Sequence, residues 1–272
     1  MDLPEAMVHT IEVVRWRGGD HRDDLDSLVV EEPLEIRIND VPFAVTMRTP
    51  GHDEALAVGF LATEGVVGTR NDVFDVLHCA DPEFPDLRNI VNVLMDPERA
   101  LAVGEGGRQR YATSSCGLCG RASIDAVRQS IPPLPPPPRL RGAMLIELPD
   151  RLRAAQSAFE RTGGLHAAGL FDERGALLHA AEDVGRHNAV DKVVGMALLH
   201  GPWPAAGTIL MVSGRAGFEI AQKAAVARIA ALCSVSAPSS LAVELAREMN
   251  LILVGFLRGE SMNVYSGMDS VY

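Results

Sequence analysis

The run P-P-L-P-P-P-P at residues 132–138 constrains this chain more than any other feature. Each proline holds φ near about −65° and lacks an N–H, so neither a helix nor a central strand passes through the run. What remains is an extended, polyproline-type connection, and residues 131–140 are expected to form a stiff linker. Such a run also serves as an SH3-type ligand, but in a chain of ordinary globular composition the linker is the stronger reading. The chain then divides into a flexible N-terminal segment over 1–25, an α+β part over 26–130 and an α/β part over 141–272. The acidic stretch that ends in G-G-D-H-R-D-D-L-D marks the first of these as a frayed end or a short edge strand.

The two larger parts carry different patterns. Before the linker, residues 34–38 and 42–47 alternate apolar and polar side chains around Asn39-Asp40-Val41, which predicts a hairpin. Residues 53–64 follow a Pro-Gly break and place Leu56, Phe60 and Leu61 at helical spacing. A strand is expected over 90–95 and a helix over 121–130. After the linker the expected elements are a helix over 151–161, a hairpin over 167–172 and 177–180, and helices over 187–199, 217–232 and 241–249. Strands are expected over 208–213 and 251–256. This alternation indicates an α/β layer with some parallel strands.

With 272 residues, 47% of them hydrophobic, the chain can bury a sizeable core. Its net charge of −11 argues against broad nucleic-acid binding, which neutralises phosphates with Lys and Arg. A local basic pocket for one nucleotide is still allowed. The first residues mix acids into short apolar stretches, without the basic and apolar regions of a secretory signal. The longest apolar run near the C-terminus, 251–257, falls far short of the roughly 20 residues that span a bilayer. A cytoplasmic protein without a membrane partner is expected. Thiols stay reduced there, so four cysteines are not a disulfide framework.

Four stretches carry candidate chemistry. In T-S-S-C-G-L-C-G-R (113–121), Cys116 and Cys119 precede a helical stretch and have Arg108, Arg110 and Arg121 nearby. Cations and a helix N-terminus lower a thiol's pKa, which favours the nucleophilic thiolate. A thiolate here can accept a sulfane sulfur as a persulfide and pass it on. Half a structural zinc site is an alternative, but it needs two more ligands. Cys79 and Cys233 sit in apolar contexts that suit buried, inert thiols, so no metal is expected. A zinc deaminase would use H-x-E followed by P-C-x-x-C. His52-Asp53-Glu54 offers the first half, but Ser115 replaces the proline. A thioredoxin-like site would want a buried strand before the pair, where residues 104–115 are polar and glycine-rich.

The second stretch joins G-G-L-H-A-A-G-L-F (163–171) with E-D-V-G-R-H-N-A-V-D-K (182–192). His187 and Asp191 stand four apart and are expected to share a hydrogen bond, with Arg186 and Lys192 able to hold an anion. A capped helix with a valine-rich core face is the plain alternative. The third, I-L-M-V-S-G-R-A-G-F-E-I (209–220), runs a strand into Ser213-Gly214-Arg215 and then a helix, a turn that brings backbone N–H groups close to an anion. A plain strand-to-helix turn uses glycine as well. The fourth, V-G-F-L-R-G-E-S-M-N-V-Y (254–265), places Phe256 to stack on a base and Arg258 to meet phosphate beyond a strand's carboxyl end. An edge strand with a glycine turn gives the same pattern.

Taken in order, T-P-G-x-D-E-A-L-A-V-G-F-L-A-T-E-G, S-S-C-G-L-C-G, G-G-L-H-A-A-G-L-F, E-D-V-G-R-H-N-A-V-D-K and V-S-G-R-A-G-F-E-I resemble the FdhD/NarQ family of formate dehydrogenase accessory sulfurtransferases. The resemblance covers nearly the whole chain. It implies a fold similar to that of cytidine deaminases, a layered α/β/α core with a smaller N-terminal α+β part, and a homodimer. It also implies a sulfur carrier whose persulfide comes from a cysteine desulfurase. The recipient is the Mo- or W-bis(molybdopterin guanine dinucleotide) cofactor of formate dehydrogenase, bound as a client. The family's persulfide cysteine corresponds to Cys116, with Cys119 assisting. Its cofactor-binding stretch corresponds to Phe256, Leu257, Arg258, Gly259, Glu260 and Ser261. The expected nucleotide site adds Ser213, Gly214, Arg215 and His187. A cofactor-binding chaperone that moves no sulfur is the runner-up.

Overall fold

The computed structural model describes residues 7–79, 88–106 and 132–272. The chain opens with two ten-residue antiparallel strands, β1 (Val8–Arg17) and β2 (Asp20–Val29), paired from Val8↔Val29 to Arg17↔Asp20. Within the described residues the segment expected to be flexible over 1–25 is thus a paired hairpin, longer than the short edge strand that its sequence also allowed. Only the base of the hairpin is seated, where Val8 and Val29 pack on a small cluster of Met7, Ala158 and Leu165. Farther out, Val14, Trp16 and Leu25 are exposed. A hairpin that buries so little needs no apolar alternation, so its sequence reads as polar loop.

A four-stranded sheet follows, formed by β3 (Glu32–Ile38), β4 (Val41–Arg48), β5 (Val73–Cys79) and β6 (Ile90–Met95) in the order β4-β3-β6-β5. β3 and β6 are parallel and the other pairs antiparallel. The β3–β4 turn is Asn39-Asp40, with φ of 47° and 66°, the positive values that a two-residue hairpin turn requires. Among the described residues two α-helices belong to this part, α1 (Asp53–Thr63) and α2 (Pro97–Gly106), and the helix expected over 121–130 lies outside them.

After the proline run, six strands form the main sheet: β7 (His166–Phe171), β8 (Leu177–Asp183), β9 (Ile209–Val212), β10 (Ala231–Ser234), β11 (Ile252–Arg258) and β12 (Ser261–Ser266). Their order is β12-β11-β10-β9-β7-β8, with β9, β10 and β11 mutually parallel and the flanking strands antiparallel. The helices of this part are α3 (Gly142–Arg153), α4 (Ser157–Thr162), α5 (Arg186–His200), α6 (Phe218–Val226) and α7 (Ser240–Glu248). Alternate side chains serve the two faces of the sheet. Ala168, Leu170, Leu210, Val212, Leu232 and Leu253 enter one core together with residues of α1, α5, α6 and α7. Ala167, Phe171, Ile209, Met211, Cys233 and Val254 enter a second core under α3. Helices therefore cover both faces. Among the described residues no helix is long and apolar enough to cross a membrane.

Three expectations change. The helix expected over 217–232 stops at Val226, Arg228 turns the chain at φ 63°, and β10 begins at Ala231. Small buried alanines suit either element, and a four-residue strand buried on both faces shows no alternation. The helix expected over 151–161 is two helices, because α3 starts at Gly142 and ends at Arg153, before α4 starts at Ser157. Pro149 lies inside α3 and hid its earlier turns from the pattern. Finally, the described residues of the proline run are extended but docked on the body. Leu134 is buried in the main core and donates its N–H to Met249 O at 2.9 Å. Arg228 donates to the carbonyls of Pro132 and Pro133 at 2.6 and 3.0 Å. The main core holds Leu34, Ile36 and Leu56 from before the run and Leu210 and Leu253 from after it. The two sides thus share one interior.

Candidate functional site

The parallel strands β9, β10 and β11 end at one edge of the sheet, and the chain segments that leave them are laced together. Ser213 Oγ accepts the N–H of Ala167 at 2.9 Å, which fixes the exit of β9 against β7. Ser234 Oγ donates to Gly214 O at 2.7 Å. Ser239 N donates to Ala216 O at 3.0 Å, and Phe256 N to Ser236 O at 3.0 Å. Between these segments lies a cleft of about 560 Å³, lined by Arg186, Arg215, Gly217, Glu219, Pro238 and Ser239 among others. Helices α6 and α7 both begin at this cleft. Ser239 caps α7, its Oγ accepting the N–H of Ala242 at 3.2 Å. Free N–H groups and the positive ends of two helices favour an anion here. Arg186 and Arg215 add two cations that form no ion pair with a carboxylate among the described residues.

The corner that carries Arg186 and His187 is held from behind. Asp183 is fully buried and accepts hydrogen bonds from Gly185 N (2.8 Å), Asn188 Nδ2 (2.9 Å) and Thr49 N (3.2 Å). It pairs at 2.8 Å with Lys192 Nζ, which is also fully buried and donates to Thr49 O and Glu182 O. Buried charges are stable only when paired and hydrogen-bonded in this way. Lys192 is therefore a buried strut, and it does not face an anion as the sequence suggested.

His187 does not bond Asp191. Its Nε2 lies 2.8 Å from Glu219 Oε2, in the first turn of α6, though off the line of a hydrogen bond. Asp191 turns the other way, to Lys223 Nζ and Thr63 Oγ1, each at 2.8 Å. Helical spacing makes His187 and Asp191 neighbours, but stronger partners on α1 and α6 separate them. The His187 ring holds the Glu219 carboxyl below the usual carboxylate range against the opposing effect of burial, and Arg186 and Lys223 help. His166, at the start of β7, rests against Gly214, where a Cβ would stand 3.3 Å from its Nδ1. Burial, then Arg186 and His187, push its pKa down, while Asp183 opposes them.

The stretch from Phe256 to Ser261 forms the end of the β11–β12 hairpin. A bulge between Gly255 and Arg258 interrupts the pairing. Phe256 has φ 52°, an outlier for an aromatic residue, and the Arg258 guanidinium lies 5.8 Å from its ring centroid. Leu257 points into the second core and is fully buried, so only its backbone is available to a ligand. Gly259 makes the turn at φ 56°, and Glu260 and Ser261 are exposed. Gly255 packs on Pro238, which joins this hairpin to the cleft wall. Ser213–Arg215 and Phe256–Ser261 thus sit on neighbouring segments, linked through residues 236–238.

Cys116 and Cys119, with Arg108, Arg110 and Arg121, lie outside the described residues. His52 stands exposed at the start of α1 with φ 56°, and Glu54 is exposed. Asp53 is engaged by Arg48 at 3.0 Å. Among the described residues no group of three or more His, Cys, Asp or Glu side chains is placed to hold a metal. Cys79 is half-buried and Cys233 buried, both as free thiols. Ser236–Ser239, a wall of the cleft, is absent from the expected site. S-V-S-A-P-S-S between a strand and an amphipathic helix was the available signal, together with Glu219 two residues after Gly217.

Comparison with known proteins places this architecture. The FdhD/NarQ family model matches residues 29–272. The sulfur carrier protein FdhD of Streptomyces avermitilis is 55% identical over 261 residues, covering 94% of this chain and 93% of that protein. Its counterpart in Anaeromyxobacter dehalogenans strain 2CP-1 is 51% identical over 275 residues, covering 97% and 93%. That of Mycobacterium tuberculosis is 49% identical over 253 residues, covering 90% and 92%. A crystal structure described as a formate dehydrogenase accessory protein from Desulfotalea psychrophila shares the fold. It has a TM-score of 0.78 and 24% identity over 98% of this chain and 100% of that one. On the extent and identity of these matches, the chain belongs to the FdhD/NarQ family.

Proposed function

We propose that the protein is a sulfur carrier for the maturation of formate dehydrogenase. It takes sulfane sulfur from a cysteine desulfurase and delivers it to a Mo- or W-bis(molybdopterin guanine dinucleotide) client. In the first step the Cys116 thiolate attacks the terminal sulfur of the desulfurase persulfide. A new S–S bond forms on Cys116, the desulfurase cysteine leaves as thiolate, and no net oxidation occurs. In the second step the Cys119 thiolate attacks the Cys116 sulfur. The Cys116–Cys119 disulfide forms, hydrosulfide leaves toward the metal with the electron pair, and a cellular thiol later reduces the disulfide. The guanine nucleotide part of the client rests against Ser213-Gly214-Arg215 and the Phe256–Ser261 hairpin. We further propose a homodimer working in the cytoplasm. Helices on both faces of the main sheet support the deaminase-like layering that the family resemblance implies.

One observation carries the reading most. A chain whose relatives are named sulfur carriers holds two arginines without carboxylate partners, among the described residues, in a cleft where two helices begin. Such a cleft suits the phosphates of a nucleotide. The test is mass spectrometry of the protein after incubation with a cysteine desulfurase and cysteine. The wild type gains a thiol-labile sulfur atom on the peptide containing Cys116, and Cys116→Ala does not. A labile sulfur on that peptide in Cys116→Ala removes the assignment. Restoration of formate dehydrogenase activity by the double Cys116→Ala, Cys119→Ala variant points instead to a cofactor-binding chaperone.

A further inference from the structure

The cleft contains a carboxylate where its other groups favour an anion. Arg186, Arg215 and two helix N-termini give the cleft positive character, yet Glu219 lines the same space from the first turn of α6. Its Oε2 stands 2.8 Å from His187 Nε2, and that nitrogen is buried without a hydrogen bond. Lys223 is committed to Asp191, and Asp183 to Lys192 and its backbone donors. Glu219 therefore occupies the position beside His187 and Arg186 that an anionic ligand would take. Its side chain keeps about a third of its surface exposed, so it is free to rotate outward from the helix.

We propose that Glu219 is a latch on the anion site. In the free protein its carboxylate covers His187. A phosphate-bearing ligand displaces it, and a phosphate oxygen takes its place on His187 and beside Arg186. The latch makes weak, singly charged anions poor ligands, because each must compete with a carboxylate already in place. It rejects them by opposing charge as much as by fit. A ligand with several phosphate charges, such as a nucleotide diphosphate group, gains enough from Arg186, Arg215 and the helix ends to open it. This inference rests on the reading of the cleft as the nucleotide-phosphate site.

Calorimetric titration of the full chain with inorganic pyrophosphate near neutral pH tests it. Glu219→Gln and Glu219→Ala each remove one nearby negative charge, and both are expected to bind pyrophosphate about tenfold more tightly than the wild type. In a His187→Gln background the same changes are expected to gain no more than about twofold, because the covered partner is gone. Equal or weaker binding by the Glu219 variants overturns the latch and leaves the cleft's assignment standing. A tenfold gain that persists without His187 also overturns it, since the effect is then general charge and not the contact. Failure of pyrophosphate to bind wild type and variants alike overturns both the latch and the nucleotide-phosphate site.

Discussion

Gly59 on α1 and Gly195 on α5 meet where the two helices cross. A Cβ on Gly59 would stand 1.8 Å from Asp191 O, and one on Gly195 would stand 1.8 Å from Ala55 O. Both obstacles are helix backbone, which cannot turn aside as a flexible side chain can. The contact joins a helix from before the proline run to one from after it, within the core that both sides share. Either Gly59→Ala or Gly195→Ala is expected to force the helices apart and destabilise the protein by about 3 kcal/mol or more. Urea unfolding followed by circular dichroism gives the measurement. A loss below about 1 kcal/mol would show that the helices can separate without cost.

The buried pair Asp183–Lys192 makes a second joint, because Lys192 also holds Thr49 O and Asp183 accepts Thr49 N. Removing one partner leaves a charge buried alone, so Lys192→Met is expected to lose about 3–5 kcal/mol. The double variant Asp183→Asn, Lys192→Met leaves no lone charge and is expected to lose less than the sum of the single changes. Unfolding free energies for the three variants form the cycle. Strict additivity would mean that the two groups do not act as a pair.

Acid should weaken the fold through His166. Its folded-state pKa lies below its ordinary value of 6.5, chiefly because burial and then the positive charges of Arg186 and His187 disfavour the imidazolium. In the window below 6.5 the unfolded chain therefore binds more protons than the folded one at this site. The stability that His166 contributes is complete above that pH and is lost as pH falls through the folded value. Glu219, lowered from 4.5, adds its own loss only at more acid pH. His166→Gln is expected to flatten the decline in unfolding free energy between about pH 7 and 5. A decline of unchanged slope in the variant would assign it to other groups.

The parts of this fold that were legible in the sequence are those where burial is one-sided or turn chemistry is strict. Asn39-Asp40 announced a hairpin because two adjacent positive φ values suit those residues. The strand over Ile209–Val212 stood out as an apolar run before Ser213-Gly214. The β1–β2 hairpin read as no more than a frayed end or short edge strand because most of its side chains are exposed among the described residues, and β10 was missed because a four-residue strand buried on both faces shows no period. At the site, the expected nucleotide site grouped His187 with Ser213, Gly214 and Arg215, whereas Arg186 was read only as a nearby cation, and the fold brings Arg186 and Arg215 to one cleft. No spacing rule predicts that Glu219 meets His187, because that contact depends on how α5 and α6 pack and not on either helix alone.

Cys233 should be chemically silent. It lies in the second core on β10, fully buried, and burial pushes its thiol pKa up to about 12. The thiolate is the reactive form, so at neutral pH this residue presents neither access nor nucleophile. Brief treatment of the native protein with iodoacetamide, followed by peptide mass spectrometry, is expected to leave Cys233 unmodified. The same treatment in denaturant should modify it fully. Labelling of Cys233 in the native state at the denatured rate would mean that the sheet opens at β10 far more often than a packed core allows. It would also make Cys233 an acceptor for desulfurase sulfur, and the peptide-level assignment of any persulfide to Cys116 would then need the Cys233→Ala variant as its reference.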